Sequence, residues 1–259
     1  MILTSLVKVL RAAGISQGDT ICVSSDIAKL GIPREIKPDI RQYGMDALTN
    51  LYIDTLLFVL GKSGTLVMPT FTYSACEGEV FDVALSPSKV GMLTEAFRQY
   101  PNTVRSEHPI FSFAFNGRMA KQLAEVQSFD CFGKNSLFDR LHKLNAKYLL
   151  LGVNMWQGST YVYYSEQKYG VSYRFMKNFL AEICHGCDFK LVLTPYFVRN
   201  NDIGYEDDWQ QLQADSIKEE ISTEIPFMAG KIIAHNAVTI DAFIQQKLTV
   251  KPEYLIRYL

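Results

Sequence analysis

One ordering recurs along the chain: apolar residues at helical spacing, a Gly or Pro turn, then a short apolar run. Leu3, Leu6, Val7 and Leu10 carry the first helical pattern, Gly14 stops it, and Gly18-Asp19 leads into an apolar stretch at 20–23. Residues 46–60 repeat the helical spacing, followed by Gly61-Lys62-Ser63-Gly64 and a strand at 65–68 that ends on Pro69. A third copy runs from 90–100 into 103–106, and a fourth from 138–144 into 147–153. Helix and strand in strict alternation predict an α/β fold, layered α/β/α around a central, largely parallel sheet. Residues 171–182 and 188–198 read as two strands joined at His185-Gly186, an antiparallel excursion. The acidic stretch Tyr205 to Trp209 is expected to open a helix reaching about residue 220, and 234–247 reads as the last helix. No linker or repeat array interrupts the chain, so 1–259 is expected to form a single domain.

Charge narrows the function classes. Lys and Arg number 26 against 27 Asp and Glu, a net charge of -1, which gives no basic face for gripping nucleic acid. No apolar run is long enough for a membrane span. The N-terminal stretch carries Lys8 and Arg11 within its apolar pattern and fits an amphipathic helix rather than an export signal, so a cytoplasmic location is expected. Five cysteines spread over 259 residues do not suggest a disulfide framework.

Three familiar motifs fail on their context. Gly61-Lys62-Ser63 lacks the earlier glycine of a phosphate loop, Leu56 standing in its place, and it precedes a strand instead of following one. Ser86-Pro87-Ser88-Lys89 matches Ser-x-x-Lys without its companion motifs. Cys184-His185-Gly186-Cys187 has no second Cys pair and sits at the expected hairpin turn, so it reads as structural and no metal is expected.

Ligands of α/β proteins collect beyond the carboxyl ends of strands, which directs attention to Ser24-Ser25-Asp26, Thr70, Arg105-Ser106-Glu107-His108 and Gly152-Val153-Asn154. An exposed histidine in a Pro-containing turn is the plainer reading of His108. Thr160, Tyr163 and Glu166 follow a strand and a Gly-containing loop at three-residue spacing, so a helix there sets a hydroxyl, a phenol and a carboxylate along roughly one face. A solvated helix face fits that pattern equally well.

Taken in order, these segments resemble the aminoglycoside 3-N-acetyltransferase family, the antibiotic N-acetyltransferases distinct from the common acetyltransferase fold. The resemblance is carried by 23–31, 60–72, 87–95, Arg105-Ser106-Glu107-His108-Pro109-Ile110-Phe111-Ser112, 149–153, and Ser159-Thr160 with Glu166. It implies transfer of acetyl from acetyl-CoA to an amine of an amino sugar, either aminoglycoside-like or a nucleotide-linked sugar of surface polysaccharide. A non-catalytic CoA-binding relative and an O-acetyltransferase are the alternatives. The resemblance implies that Ser24, Ser25, Asp26, Ile27, Thr70, Arg105 and Ser106 lie along the acetyl-CoA arm. It also implies that Thr160, Tyr163, Glu166 and His108 serve the reaction. Glu206, Asp207 and Asp208 would hold a cationic acceptor, although acids at a helix start are also ordinary capping. A homodimer is compatible with this reading. Antibiotic-modifying members usually carry His three residues before the matching Glu, where this chain has Tyr163, and many carry His where Ser24 stands. Tyrosine, with a reference pKa of about 10, is a poor proton acceptor near neutral pH.

Overall fold

A computed structural model describes residues 1–125 and 128–259. The strands are β1 (Thr20–Ser25), β2 (Thr65–Pro69), β3 (Phe81–Asp82), β4 (Val104–Arg105), β5 (Phe113–Gly117), β6 (Lys147–Leu151), β7 (Arg174–His185), β8 (Asp188–Arg199), β9 (Tyr205–Asp207), β10 (Ser222–Phe227), β11 (Gly230–Asn236) and β12 (Ile256–Tyr258). Seven of them form one sheet in the order β10-β11-β6-β1-β2-β5-β4.

Period-two alternation splits the sheet residues between two cores. Ile21, Val23, Leu66, Met68, Leu149 and Leu151 face helices Thr4–Ala12, Asp46–Leu60 and Met92–Arg98. Cys22, Val67, Tyr148 and Leu150 face helices Leu137–Lys143, Tyr161–Tyr169, Trp209–Lys218 and Ala237–Val250. The α/β/α layering is therefore as expected.

The sheet is mixed rather than largely parallel. β1 runs parallel to β2 and β6, whereas β2–β5, β4–β5, β6–β11 and β10–β11 are antiparallel. Long helical crossovers deliver the three central strands, but β4 reaches β5 and β10 reaches β11 through connections too short for a parallel return. The β10–β11 turn passes through Met228 at φ 52 without the Asn-Gly signature that marks such turns, and Ser222 to Asn236 consequently carried no hairpin signal. The last helix begins at Ala237, after β11, instead of at 234.

The expected hairpin is present as β7–β8, paired from Arg174↔Arg199 to His185↔Asp188, with β3 alongside β7. Gly186, at φ 66, and Cys187 make its turn. The acidic stretch does not open directly into a helix. Tyr205–Asp207 is strand β9, paired with the C-terminal β12, and the helix starts at Trp209. That partner lies about fifty residues away and leaves no local trace. Among the described residues, no helix is long and apolar enough to cross a membrane.

Candidate active site

The carboxyl ends of β1, β2, β4 and β6 share one edge of the sheet. At β1, Ser24, Ser25 and Asp26 are half-buried while Ile27 turns into the core. The Asp26 N–H donates to Leu151 O at 2.8 Å, and its carboxylate meets Lys29 at 3.2 Å. Glycines keep this edge open: a Cβ on Gly152 would lie 2.4 Å from Asp26 O, and one on Gly158 would lie 3.1 Å from Ser24 Cβ. The edge of β1 therefore abuts the loop that leads into Thr160 and helix Tyr161–Tyr169.

Thr70, Arg105 and Ser106 brace this edge from below. Thr70 is fully buried, and its carbonyl accepts from Arg105 Nη2 at 2.8 Å and from Ser112 Oγ at 2.6 Å. Arg105 also donates to Ser86 O at 2.6 Å and lies over the Phe81 ring, and burial lowers its pKa to about 10. Ser106 closes the β4–β5 connection in both directions, donating its N–H to Phe113 O and accepting Phe113 N–H at 3.0 Å.

His108 is buried, not exposed. Its Nδ1 accepts the amide N–H groups of Ile110 and Phe111 at 3.2 and 3.0 Å, and burial pulls its pKa down to about 4. An imidazole whose Nδ1 accepts two amides is neutral and organises its own turn. The Phe111 and Phe132 rings stand between it and Tyr163.

Tyr163, Glu166 and Asp207 converge instead on Arg174, the first residue of β7. Glu166 is fully buried. Its Oε2 lies 2.7 Å from Arg174 Nε, a charge contact whose N–H is not aligned well enough for a straight hydrogen bond, and its Oε1 accepts from Tyr173 OH at 2.9 Å. Arg174 Nη2 reaches Asp207 Oδ1 at 3.0 Å, and the guanidinium lies 4.3 Å from the Tyr163 ring centre. Tyr163 OH donates to Asp207 Oδ2 at a long 3.4 Å. Trp209 and Phe132 complete the aromatic wall, with centroids 4.9 and 5.8 Å from Tyr163. Two carboxylates share one guanidinium, so the cluster carries an excess negative charge when Glu166 is ionised. Thr160, half-buried at the start of the same helix, is about 9 Å of helical rise from Glu166.

Burial pushes the Glu166 carboxyl up to about 7, with Arg174 offsetting part of the rise and Asp207 adding to it. Burial, reinforced by Asp207, holds the Tyr163 phenol well above its ordinary value, so it stays protonated.

The three acids do not form one patch. Strand alternation sends Glu206 outward to the exposed Arg257 at 3.1 Å, a pairing worth little, and turns Asp207 inward. Asp208 is half-buried at the N-cap of helix Trp209–Lys218 and caps nothing with its side chain. Sequence reasoning missed Arg174 and Tyr173. A carboxylate buried in a helix requires a cation, and the arginine opening the next strand was the available candidate.

The profile of the family described as Aminoglycoside 3-N-acetyltransferase matches residues 41–249. Aminoglycoside N(3)-acetyltransferase IV of Salmonella sp is 38% identical over 104 residues, which span 39% of this chain and 39% of that protein. A variant of aminoglycoside acetyltransferase AAC(3)-IVa solved with a gentamicin superposes with a TM-score of 0.77 at 26% identity, over 97% of this chain and 90% of that one. AAC-IIIb, solved with CoASH, shares the fold with a TM-score of 0.79 at 20% identity, over 97% and 98% of the two chains. The profile covers most of the sequence and includes Tyr163, Glu166, Arg174 and Asp207: the chain belongs to the aminoglycoside 3-N-acetyltransferase family.

Proposed function

We propose that the protein transfers the acetyl group of acetyl-CoA to an amine of an aminoglycoside or a related amino sugar. The observation that carries this reading is the Glu166–Arg174–Asp207 cluster, which sets two carboxylates around one guanidinium at helix Tyr161–Tyr169 and leaves Asp207 half-buried. Among the described residues, Asp207 Oδ2 has only the long contact from Tyr163, so its lone pairs are available to an ammonium group. Aromatic walls from Trp209 and Phe132 suit the apolar faces of a sugar ring. The relatives solved with CoASH and with a gentamicin support the same two ligand classes here.

In this mechanism the thioester carbonyl rests at the strand ends by Ser24, Ser25 and Asp26. Asp207 receives the ammonium proton, directly or through one water, and the freed amine attacks the carbonyl carbon. The Thr160 hydroxyl and strand-end amides donate to the resulting oxyanion, each such donor being worth roughly 3 kcal/mol. The C–S bond then breaks and the thiolate of CoA leaves, taking up a proton. Glu166 and Arg174 position Asp207. His108, Arg105, Ser106 and Thr70 hold the donor edge in shape.

One competing reading has an observation in its favour. Tyr163, kept protonated, stands where the family usually carries a histidine, which fits a protein that binds CoA without transferring its acyl group. Release of free thiol from acetyl-CoA, followed across aminoglycosides, free amino sugars and nucleotide-linked amino sugars, separates the two. Turnover with at least one amine is expected. CoA binding by calorimetry with no turnover on any amine would establish the competing reading instead.

A further inference from the structure

Helix Trp209–Lys218 turns one face inward, formed by Trp209, Leu212, Gln213 and Ser216. Trp209 packs on Tyr163, and Gln213, one turn further along the same side, reaches the loop that follows β6. Gln213 is only 6% exposed, and both ends of its amide are satisfied. Its Oε1 accepts the Met155 N–H at 2.9 Å, while its Nε2 donates to Asn154 Oδ1 at 3.3 Å and to Glu224 Oε2 at 3.1 Å. Glu224 belongs to β10 and is held by Lys231 at 2.8 Å, so one glutamine ties helix, loop and sheet together. The two loop residues it grips build the rest of the loop. The Asn154 carbonyl accepts the Gly158 N–H at 3.1 Å, and the Met155 carbonyl accepts the Ser159 N–H at 2.9 Å. Gly158 is the residue that abuts Ser24, and Thr160 follows two positions later.

We propose that Gln213 is a positioning residue that couples the two halves of the site, fixing the edge at Ser24, Gly158 and Thr160 relative to the acceptor side at Asp207 and Trp209. This rests on the reading that CoA lies along that edge and the amine at Asp207. Met155 and Gln213 are 58 residues apart in the chain. Among the described residues, the other hydrogen bond between loop 154–160 and helix Trp209–Lys218 is the weak contact of Ser216 Oγ with Met155 Sδ at 4.0 Å. A leucine would fill the space of Gln213 at a lower desolvation cost, but only a satisfied amide fixes the distance between the two segments. Acetyl transfer needs the amine and the thioester carbon about 3–3.5 Å apart, and a misplacement of about 1 Å costs on the order of 100-fold in rate. A loop ordered by CoA therefore tightens the acceptor side through Gln213, and by reciprocity an acceptor tightens the grip on CoA.

Hydrogen exchange with and without CoA, on the full chain, reads this joint without any turnover. In the wild type, CoA is expected to slow exchange of amides 155–159 and, through Gln213, of amides 213–217 by about fivefold or more. Gln213→Leu should keep the first effect and lose the second. Calorimetry with apramycin supplies the matching ratio: the wild type is expected to bind it at least about fivefold more tightly when CoA is present, and the variant to bind it equally with and without CoA. The rate constant kcat for thiol release should fall about 10–100-fold in the variant, with affinity for CoA alone unchanged. A merely structural glutamine would lower the melting temperature without moving the binding ratio. Should Gln213→Leu fail to fold, Gln213→Glu keeps the acceptor for Met155 N–H and removes both donors, and the wild-type exchange needs no variant. Amides 213–217 that ignore CoA in the wild type overturn the proposal, as does a variant that retains the binding ratio and kcat. A wild type that transmits CoA binding to the helix yet acetylates no amine would refute the transfer reaction and uphold the coupling.

Discussion

Arg174 is the residue on which the site turns. It pairs with a fully buried carboxylate and holds a second, half-buried one. Removing one partner of such a buried pair costs about 3–5 kcal/mol, because the other charge is left unpaired. Arg174→Met should therefore lower stability by about that amount in chemical denaturation. Adding Glu166→Gln to it should recover part of the loss, since the orphaned charge is then gone. The phenol of Tyr163 stays protonated and touches Asp207 only at 3.4 Å, so Tyr163→Phe is expected to keep kcat/KM within about threefold. A larger loss in steady-state assays would give the phenol a direct part in proton transfer. Thr160, Tyr163 and Glu166 were legible as candidates because they follow a predicted strand at helical spacing, and Asp207 because it lies in an acidic run. Their common partner was not, because Arg174 is joined to Glu166 and Asp207 only by the tertiary fold.

At the level of elements, what the sequence revealed followed the range of the interactions involved. Helix Asp46–Leu60 and the hairpin β7–β8 were readable because periodicity and turn glycines are local signals. β9, β10 and β11 were hidden, since β9 exists through its pairing with β12 and the β10–β11 turn rests on Met228 at positive φ. Alternation in β9 also divides an acidic run that looks uniform in sequence. The edge at the end of β1, proposed to hold the donor, depends on two glycines for different reasons. Gly152 has φ +71 and no room for a Cβ against Asp26 O, so Gly152→Ala should destabilise the fold by about 1–3 kcal/mol. Gly158 lies at ordinary φ but would press a Cβ against Val153 at 2.9 Å and Ser24 at 3.1 Å. Gly158→Ala is expected to weaken CoA binding about tenfold by calorimetry, a loss of about 1.4 kcal/mol. Unchanged affinity would move the donor away from β1.

For the whole molecule, a balanced net charge is consistent with the proposed function, in which binding would rest on local charge such as the two carboxylates around Arg174. Buried titratable groups shape its response to pH. Burial lowers His108 and His235 to about 4 from an unfolded value of 6.5. The unfolded chain thus binds more protons in that interval, and stability present above pH 6.5 is lost as pH falls toward 4, by about 3 kcal/mol for each histidine. Glu166 acts in the opposite sense: raised from 4.5 to about 7, it favours the fold below pH 4.5 and loses that contribution as pH rises through 7. Melting temperature should accordingly drop steeply between pH 6.5 and 4. His235→Phe should make that drop shallower, and an unchanged slope would show that His235 is not buried in its neutral form.

The α/β/α layering and the family were both readable from the strand ends, whereas the mixed sheet and the charge arrangement of the site required the fold. The most direct measurement of the central claim is acetyl-CoA turnover with an aminoglycoside such as apramycin, run side by side on wild type and Asp207→Asn. The account predicts measurable thiol release by the wild type and a fall in kcat/KM of about 100-fold or more in the variant, with CoA affinity unchanged. Equal turnover by the two proteins would contradict it.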